Sequence, residues 1–156
     1  MAVATGKKRK IVDDRYEILS IIGRGARSVV YKARNVIEGG PEVALKVLVN
    51  TKDRVPNSEK LRKEALAMVS CNHRYVVRLD DFHSVGDLSY LSMELASEGD
   101  LRKFSEKSDN HLDAKLLERF FSQTAEALEY IHKVGIIHRD VKPDNILVID
   151  DKEIRL

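Results

Sequence analysis

The segment from Ile136 to Val148 reads IIHRDVKPDNILV and concentrates polar side chains in one short loop. A carboxylate, an ammonium and a carboxamide fall within six positions, at Asp140, Lys142 and Asn145. Pro143 disfavours helix here, and we expect the flanking apolar runs, Ile136-Ile137 and Ile146-Leu147-Val148, to form short buried strands. Polar groups held at both ends by core can form a preorganised site. The alternative is an ordinary charged turn between two strands.

A second candidate is the turn Gly23-Arg24-Gly25-Ala26-Arg27-Ser28, which lies between two strand-like segments, YEILSIIG and VVYKA. Glycines allow backbone N–H groups to approach phosphate oxygens without interference from a Cβ atom. Any hairpin turn can contain glycine, so this signal is weak by itself.

A third candidate is Lys46, which stands inside the apolar run from Val43 to Val49. The run does not alternate, which predicts a strand buried on both faces. A lysine there is costly unless its ammonium meets an anion. The alternative is a lysine that extends its charge to the surface.

Two helices are predicted to support these segments. The first spans about residues 58–70, capped by Asn57 or Ser58, and Glu64 lies beside its apolar face of Leu61, Ala65 and Met68. The second runs from a cap at Asp113 to about His132 and ends before Gly135. Its broad apolar stripe predicts a core helix behind the polar loop. The stripe comprises Leu116, Leu117, Phe120, Phe121, Ala125, Leu128 and Ile131.

Several motifs occur in the order found in a protein kinase. HRDVKPDN resembles the catalytic loop H-R-D-L-x-x-x-N, and Asp140-x-Lys142-Pro143 is its serine/threonine form. The glycine turn resembles G-x-G-x-x-G-x-V with Ser28 at the third glycine, and the Lys46 strand resembles V-A-I-K. The helix at about residues 58–70 resembles the αC helix of kinases, and the segment from His73 to Leu79 is similar to the H-P-N-I-V-x-L stretch that follows that helix. The sequence therefore resembles a serine/threonine protein kinase over about residues 15–156.

This resemblance implies ATP-dependent phosphoryl transfer to Ser or Thr hydroxyls of a protein substrate, with Mg²⁺. Asp140 would steer the substrate hydroxyl proton, Lys142 would contact the γ-phosphate, and Asn145 would bind Mg²⁺. Lys46, held by Glu64, would bind the α- and β-phosphates. A solvated Glu64 is the alternative, whereas Glu59 is too close to the helix cap to reach inward. His138 is expected to belong to the core, not to the chemistry.

The resemblance also implies an adenine pocket at a hinge between two lobes. Met93 would be the gatekeeper, the backbone of Glu94 and Ala96 would bind adenine, and Asp100 would face the ribose. The nucleotide-binding positions are Ile22, Gly23, Arg24, Gly25, Ala26, Arg27, Ser28, Val30, Ala44, Lys46, Met93, Glu94, Ala96, Asp100 and Leu147.

The fold class implied is α+β. An N-lobe at residues 15–93, with a five-stranded antiparallel sheet, leads through a hinge at 94–100 into part of a helical C-lobe at 101–156. Residues 1–14 are expected to be a disordered basic tail.

Composition gives weaker limits. The chain has 43% apolar and 33% charged residues and a net charge of +2, so no global charge favours nucleic acid or an anionic membrane. The single cysteine, Cys71, fits a reducing compartment, and we expect a cytoplasmic protein without a transmembrane helix. The run Lys7-Lys8-Arg9-Lys10 is also compatible with nuclear import.

The last residues, Lys152 to Leu156, are similar to the strand that precedes the D-F-G motif of kinases, and no D-F-G occurs in the 156 residues. We therefore expect this chain alone to be inactive, because that motif supplies the main Mg²⁺ ligand. We also expect the long helix to leave an apolar C-lobe face for a protein partner. The alternative to an enzyme is a non-catalytic nucleotide-binding or scaffold fragment of the pseudokinase kind.

Overall fold

The structure, a computed structural model, describes residues 10–37, 39–48, 58–85, 88–109, 111–150 and 153–156. The strands are β1 Ile11–Val12, β2 Tyr16–Arg24, β3 Ser28–Asn35, β4 Glu42–Leu48, β5 Leu79–Val85, β6 Leu88–Glu94, β7 Gly99–Asp100, β8 Leu147–Val148 and β9 Ile154–Arg155. The helices are α1 Ser58–Val69, α2 Leu101–Glu106 and α3 Ala114–Lys133, and a 3₁₀ turn covers Pro143–Asn145.

The N-terminal part is an antiparallel sheet in the order β1-β2-β3-β4-β6-β5. The five predicted strands are present, and β1 is an additional sixth strand within a segment that was predicted to be tail. Its residues pair with the start of β2, Ile11 with Glu17 and Val12 with Tyr16. The side chain of Asp13, which follows β1, accepts a 2.7 Å hydrogen bond from the Tyr90 hydroxyl. Such a long-range anchor leaves no local sequence signal.

The two faces of this sheet contribute to different core clusters, as expected for strands with alternating side chains. One face buries Tyr16, Ala33, Val43, Leu45 and Tyr90. On the other face, helix α1 packs Leu61 and Ala65 around Leu91 of β6. Burial of both faces explains why β4 lacks alternation, and Val43, Ala44 and Leu45 are all buried.

The C-terminal part packs α2 and α3 against a small sheet in the order β7-β8-β9. Asp113 caps α3 as predicted, accepting a hydrogen bond from the backbone N–H of Leu116. The cluster shared by these elements contains Tyr75, Phe120, Ala127, Ile131, Ile146, Val148, Ile154 and Leu156.

The buried face of α3 is rotated from the predicted stripe. Phe120 and Ile131 are buried, but Phe121 is 65% exposed. Gln123 and Thr124 are buried instead, and hydrogen bonds to their side chains compensate for the burial of polar atoms. Gln123 accepts from the backbone N–H of Ile154, and the Thr124 hydroxyl donates to the Phe120 carbonyl. The assignment of Phe121 and Ala125 to the core was wrong, because both side chains are exposed.

The run Ile136-Ile137 is not a strand, so that prediction was also wrong. Gly135 has φ +82° and ends α3, and its N–H donates to the His132 carbonyl. The N–H of Ile136 donates to the Ile131 carbonyl over 2.8 Å. These two bonds form a Schellman cap, which uses Ile136 to end the helix. Ile137 is 65% exposed.

Some predictions lie outside the described residues: the basic residues at 7–9, the strand end at Val49, the cap residue Asn57 and Lys152. Among the helices in the described ranges, none combines the length and apolar character needed to cross a membrane.

Candidate active site

Strand register brings the first set of predicted residues side by side. Val30 of β3 pairs with Lys46 of β4, and Lys46 pairs in turn with Leu91 of β6. Ala44 pairs with Met93 two positions further on. Side chains of paired residues point to the same face, and Leu91 contacts α1, so this row lies on the face that carries α1.

Lys46 and Glu64 form an ion pair across that face. The Nζ atom of Lys46 lies 2.6 Å from the Oε1 atom of Glu64, and the side chains are 26% and 36% exposed. Burial of Leu61 and Ala65 holds the turn of α1 that carries Glu64. Glu59 instead lies near Arg62 on α1, with 3.6 Å between its Oε2 and Arg62 Nη1. The structure therefore brings together the predicted pair, although the role of the pair in nucleotide binding stays a prediction.

The glycine turn closes the β2–β3 hairpin. The N–H of Gly25 donates to the Ser28 carbonyl over 2.8 Å, and a Cβ atom on Gly25 would lie 3.1 Å from the Ser28 hydroxyl. Glycine at 25 therefore leaves room for serine at 28. Ala26 and Arg27 are exposed, and no hydrogen bond among the described residues uses their N–H groups. These N–H groups remain available to an anion.

The other residues of this turn lie on the flanking strands. Gly23 pairs with Val30, and a Cβ atom at Gly23 would contact the Val30 side chain at 3.6 Å. Arg24 and Ile22 are exposed at the end of β2. The Ile22 carbonyl accepts a 3.3 Å hydrogen bond from Lys103 Nζ, which joins the hairpin to α2.

The predicted hinge connects the two parts of the molecule. Glu94 accepts from the backbone N–H of Arg78 at 2.8 Å and from Arg155 Nε at 3.2 Å, so its side chain is occupied structurally. Sequence reasoning missed this role of Arg155. In the described part of the chain, no hydrogen bond involves the backbone of Ala96, which leaves a donor and an acceptor for a ligand.

Asp100 has more contacts than its predicted ribose role requires. It caps α2 by accepting from the Lys103 backbone N–H at 2.9 Å, and Lys103 Nζ lies 2.7 Å from its other carboxylate oxygen. Asp100 pairs with Leu147 of β8, so these two predicted nucleotide contacts are adjacent. A ribose hydroxyl would have to share the Asp100 carboxylate with Lys103.

The polar loop holds its three reactive groups in direct contact. Asn145 Nδ2 donates to the Asp140 carbonyl at 2.8 Å and to its Oδ2 atom at 2.9 Å. Lys142 Nζ lies 2.8 Å from the same Oδ2 atom. Lys142 and then Asn145 lower the pKa of Asp140, and Asp140 raises the pKa of Lys142. Asp140 is therefore an oriented, ionised carboxylate at neutral pH.

His138 is half-buried in this loop and is not one of the buried residues that form the core clusters of the described chain. Burial lowers the pKa of His138, with Asp140 opposing the shift. Its Nδ1 atom accepts a 3.4 Å hydrogen bond from the backbone N–H of Asp140. A neutral imidazole with Nδ1 as acceptor supports the loop backbone.

The donor set of the loop can be tested against Mg²⁺. Both described contacts of the Asn145 side chain use its nitrogen, which leaves the carboxamide oxygen free to accept a cation. Oxygen ligands fit Mg²⁺, which usually keeps waters and binds through one or two protein groups and phosphates. Within the described ranges no cluster of three His, Cys, Asp or Glu residues could hold a metal ion. Asn145 thus fits as one ligand among others.

An open groove between α2 and the start of α3 has a volume of about 530 Å³. It is lined by Ser105, His111, Leu112, Asp113 and Leu117. None of the predicted nucleotide or catalytic residues lines this groove, so it is separate from the site.

The site also contains an ion pair that sequence reasoning missed. Arg102 of α2 contacts Asp144 in the polar loop through two hydrogen bonds of 2.8 Å each. The two residues are 42 positions apart, and α2 was not predicted, so no local pattern pointed to their contact.

Comparison with known proteins agrees with this geometry. A sequence model of the protein kinase domain matches residues 16–156. A probable serine/threonine-protein kinase of Clostridium perfringens is 38% identical over 151 residues, covering 94% of this chain and 21% of that protein. CBL-interacting protein kinase 22 of Oryza sativa subsp. japonica is 31% identical, covering 99% of this chain and 38% of that protein. The SNF-related serine/threonine-protein kinase of Rattus norvegicus is 33% identical, covering 86% and 18%.

The antiparallel N-terminal sheet and the helical C-terminal part have the architecture of a protein kinase domain. The chain belongs to the protein kinase family, and its relatives from Clostridium perfringens and Rattus norvegicus are named as serine/threonine-protein kinases. The predicted family and fold class are thereby confirmed. The chain spans between 18% and 38% of the length of these relatives.

Proposed function

We propose that this chain supplies the ATP-binding cleft and the catalytic loop of a serine/threonine protein kinase. The reaction is transfer of the γ-phosphoryl group of ATP to a Ser or Thr hydroxyl of a protein. The observation that carries the proposal is the contact set of Asp140, whose carboxylate is held by Lys142 at 2.8 Å and Asn145 at 2.9 Å.

Each residue of the loop has a task in this proposal. The ionised Asp140 accepts a hydrogen bond from the substrate hydroxyl and orients it for attack. Lys142, which stays protonated beside Asp140, places positive charge where the γ-phosphate gains negative charge. Asn145 offers its carboxamide oxygen to Mg²⁺, which when bound neutralises phosphate charge.

The N-terminal part binds the rest of the nucleotide. Lys46, oriented by Glu64, provides an ammonium for the α- and β-phosphates. The uncommitted N–H groups of Ala26 and Arg27 face no described partner and serve the phosphates from the hairpin. The backbone of Glu94 and Ala96 provides the acceptor and the donor for adenine, and the described hydrogen bonds leave the Ala96 N–H and carbonyl uncommitted.

Nucleotide binding to the purified protein, measured with a fluorescent ATP analogue with and without Mg²⁺, tests this proposal. Lys46→Ala should weaken binding about tenfold or more, because hydrogen bonds to charged groups contribute about 1.5–3 kcal/mol. Lys32→Ala is the matched control, since Lys32 is also a strand lysine, 2.5 Å from Glu42. Equal affinities for the three proteins would contradict the proposed cleft.

We propose further that these 156 residues alone bind nucleotide without appreciable turnover. The predicted site contains one candidate Mg²⁺ ligand, Asn145, and charge neutralisation is a large share of this catalysis. Phosphoryl transfer by the purified 156-residue protein at the rate of a whole relative would contradict this statement. A non-catalytic nucleotide-binding role is the outcome if binding is retained and transfer is absent in every longer form as well.

A protein partner that covers the exposed apolar side chains of the C-terminal part is also proposed. Phe121 and Ile137 are each 65% exposed, and Val141 is 46% exposed. Large apolar side chains left exposed to water favour association. Phe121→Ser should raise the solubility of the purified protein, and unchanged solubility would count against an association surface. Cytoplasmic location remains a prediction from the sequence.

A further inference from the structure

The side chain of Arg102, on helix α2, contacts Asp144 in the polar loop. Arg102 Nε lies 2.8 Å from Asp144 Oδ1, and Arg102 Nη2 lies 2.8 Å from Asp144 Oδ2. This two-pronged contact fixes both the distance and the orientation of the carboxylate, which a single contact does not. Its partners belong to different elements, a helix after the hinge and the 3₁₀ turn of the loop.

Asp144 is the middle residue of the 3₁₀ turn and the immediate neighbour of Asn145. The turn is closed by a 2.9 Å hydrogen bond from the Asn145 N–H to the Lys142 carbonyl. From there the Asn145 side chain reaches Asp140. Any rotation of the turn therefore moves the carboxamide that contacts Asp140.

Helix α2 is itself well anchored, so it can act as a fixed support. Asp100 caps its first turn through the Lys103 N–H. The N–H of Leu101 donates to the Ile146 carbonyl over 2.8 Å, on the far side of the 3₁₀ turn. The turn is thus attached to α2 at both Asp144 and Ile146.

We propose that Arg102 is a positioning residue for the catalytic loop, which acts through Asp144 to fix the side chain of Asn145. Arg102 touches neither nucleotide nor substrate in this role. The role of Arg102 in catalysis rests on the proposed function. The effect of Arg102 on the order of the loop can be measured without catalysis.

The main objection to this role is that the Arg102–Asp144 ion pair is exposed to solvent. The Arg102 and Asp144 side chains are 57% and 42% exposed, and exposed ion pairs generally contribute little to global stability. Local order is a different quantity, because one short turn depends on this contact. The effect should therefore appear in the loop and leave the unfolding midpoint almost unchanged.

Hydrogen exchange of the purified protein, read at the backbone N–H of Asn145, tests the proposal. Arg102→Ala should speed this exchange about three- to fivefold, the upper end of what an exposed ion pair contributes. Arg102→Lys keeps the positive charge but loses the two-pronged contact, so its exchange rate should lie between those of the wild type and Arg102→Ala. The exchanged pair Arg102→Asp with Asp144→Arg should restore slow exchange.

Lys133→Ala is the matched control, because Lys133 forms an exposed pair with Glu129 on α3 at 2.6 Å. It should leave Asn145 exchange unchanged. The proposal is overturned if Arg102→Ala changes exchange less than twofold, or if it speeds exchange equally throughout α3. If Arg102→Ala does not fold, Arg102→Gln, which also removes the charge, takes its place under the same criterion. Failure of wild-type nucleotide binding would refute the proposed function and leave this exchange result to stand or fall alone.

Discussion

The two charged centres of the site are built in opposite ways. Lys46 and Glu64 lie on a strand and a helix, and packing around Leu91 brings them together. Asp140, Lys142 and Asn145 lie within six positions and contact one another directly. The first centre is partly buried, whereas the Asp140 and Lys142 side chains are 62% and 47% exposed.

Because of this difference, the geometry of the two centres depends on different parts of the molecule. The Lys46–Glu64 distance depends on how α1 sits on the sheet, so distant core changes should alter it. The loop depends on its own hydrogen bonds and on Arg102, so core changes under α1 should leave it intact. Substitutions can therefore disturb one centre at a time.

Replacing Asp140 by Asn should have the largest effect and should be confined to the loop. A positioned acid or base contributes about 10²- to 10⁴-fold to rate, so phosphoryl transfer by a catalytically competent form should fall by that factor. Nucleotide affinity should change little, because Lys46 and the hinge are untouched. Transfer assays and nucleotide titrations of the same preparations measure both quantities.

Asp113→Asn is the control for that change. Asp113 caps α3, and Asn is about as good a cap as Asp, so both rate and affinity should be retained. A rate for Asp140→Asn equal to that of the control would remove Asp140 from the proposed chemistry.

Replacing Leu91 by Ala should disturb the other centre. Leu91 is fully buried beneath α1, and Leu→Ala in a core costs about 2–5 kcal/mol of unfolding free energy. The remaining folded protein should bind nucleotide more weakly, because α1 settles into the cavity and moves Glu64. Urea unfolding gives the stability, and nucleotide titration under native conditions gives the affinity.

Ile131→Ala is the matched change in the other core cluster. It should cost a similar free energy, and nucleotide affinity should be unaffected. If both substitutions weaken binding equally, the affinity loss reflects global destabilisation, and the proposed link between α1 packing and Lys46 is wrong.

The contrast also explains what the sequence could predict. Asp140, Lys142 and Asn145 were identifiable because their geometry is local, and α3 because its cap and period are local. The pairing of Lys46 with Glu64 followed from family resemblance, since periodicity alone placed Glu64 beside an apolar face without naming a partner.

Long-range contacts account for what was missed. Asp13 reaches Tyr90 across 77 positions, which orders a segment that was predicted to be tail. Ile136 looks like the start of a strand, yet the Gly135 cap uses its N–H. Arg102 and Asp144 each look like ordinary surface charges until α2 is placed beside the loop.

Replacing Glu64 by Gln should weaken nucleotide binding about tenfold. This effect is smaller than the loss of rate expected for Asp140→Asn, because a carboxamide still accepts one hydrogen bond from Lys46. Glu42→Gln is the matched control, because Glu42 pairs with Lys32 and Arg34 on the same sheet. A nucleotide titration that gives Glu64→Gln and Glu42→Gln the same dissociation constant would show that the Lys46–Glu64 pair does not support the phosphates.

The smallest expected effect is a pH shift confined to the loop. Lys142, and then Asn145, lower the pKa of Asp140 below its ordinary value of about 3.9. The Asp140 contribution to stability is therefore present above that ordinary value and is lost as the pH falls through the lower, folded pKa. Lys142→Met should raise the pKa of Asp140 toward 3.9, as a ¹³C NMR titration of its carboxyl group would show, while Lys133→Met should not. An Asp140 pKa that is the same in all three proteins would mean that Lys142 does not hold the carboxylate in solution, and the loop would then lose the self-contained geometry that distinguishes it from the Lys46–Glu64 centre.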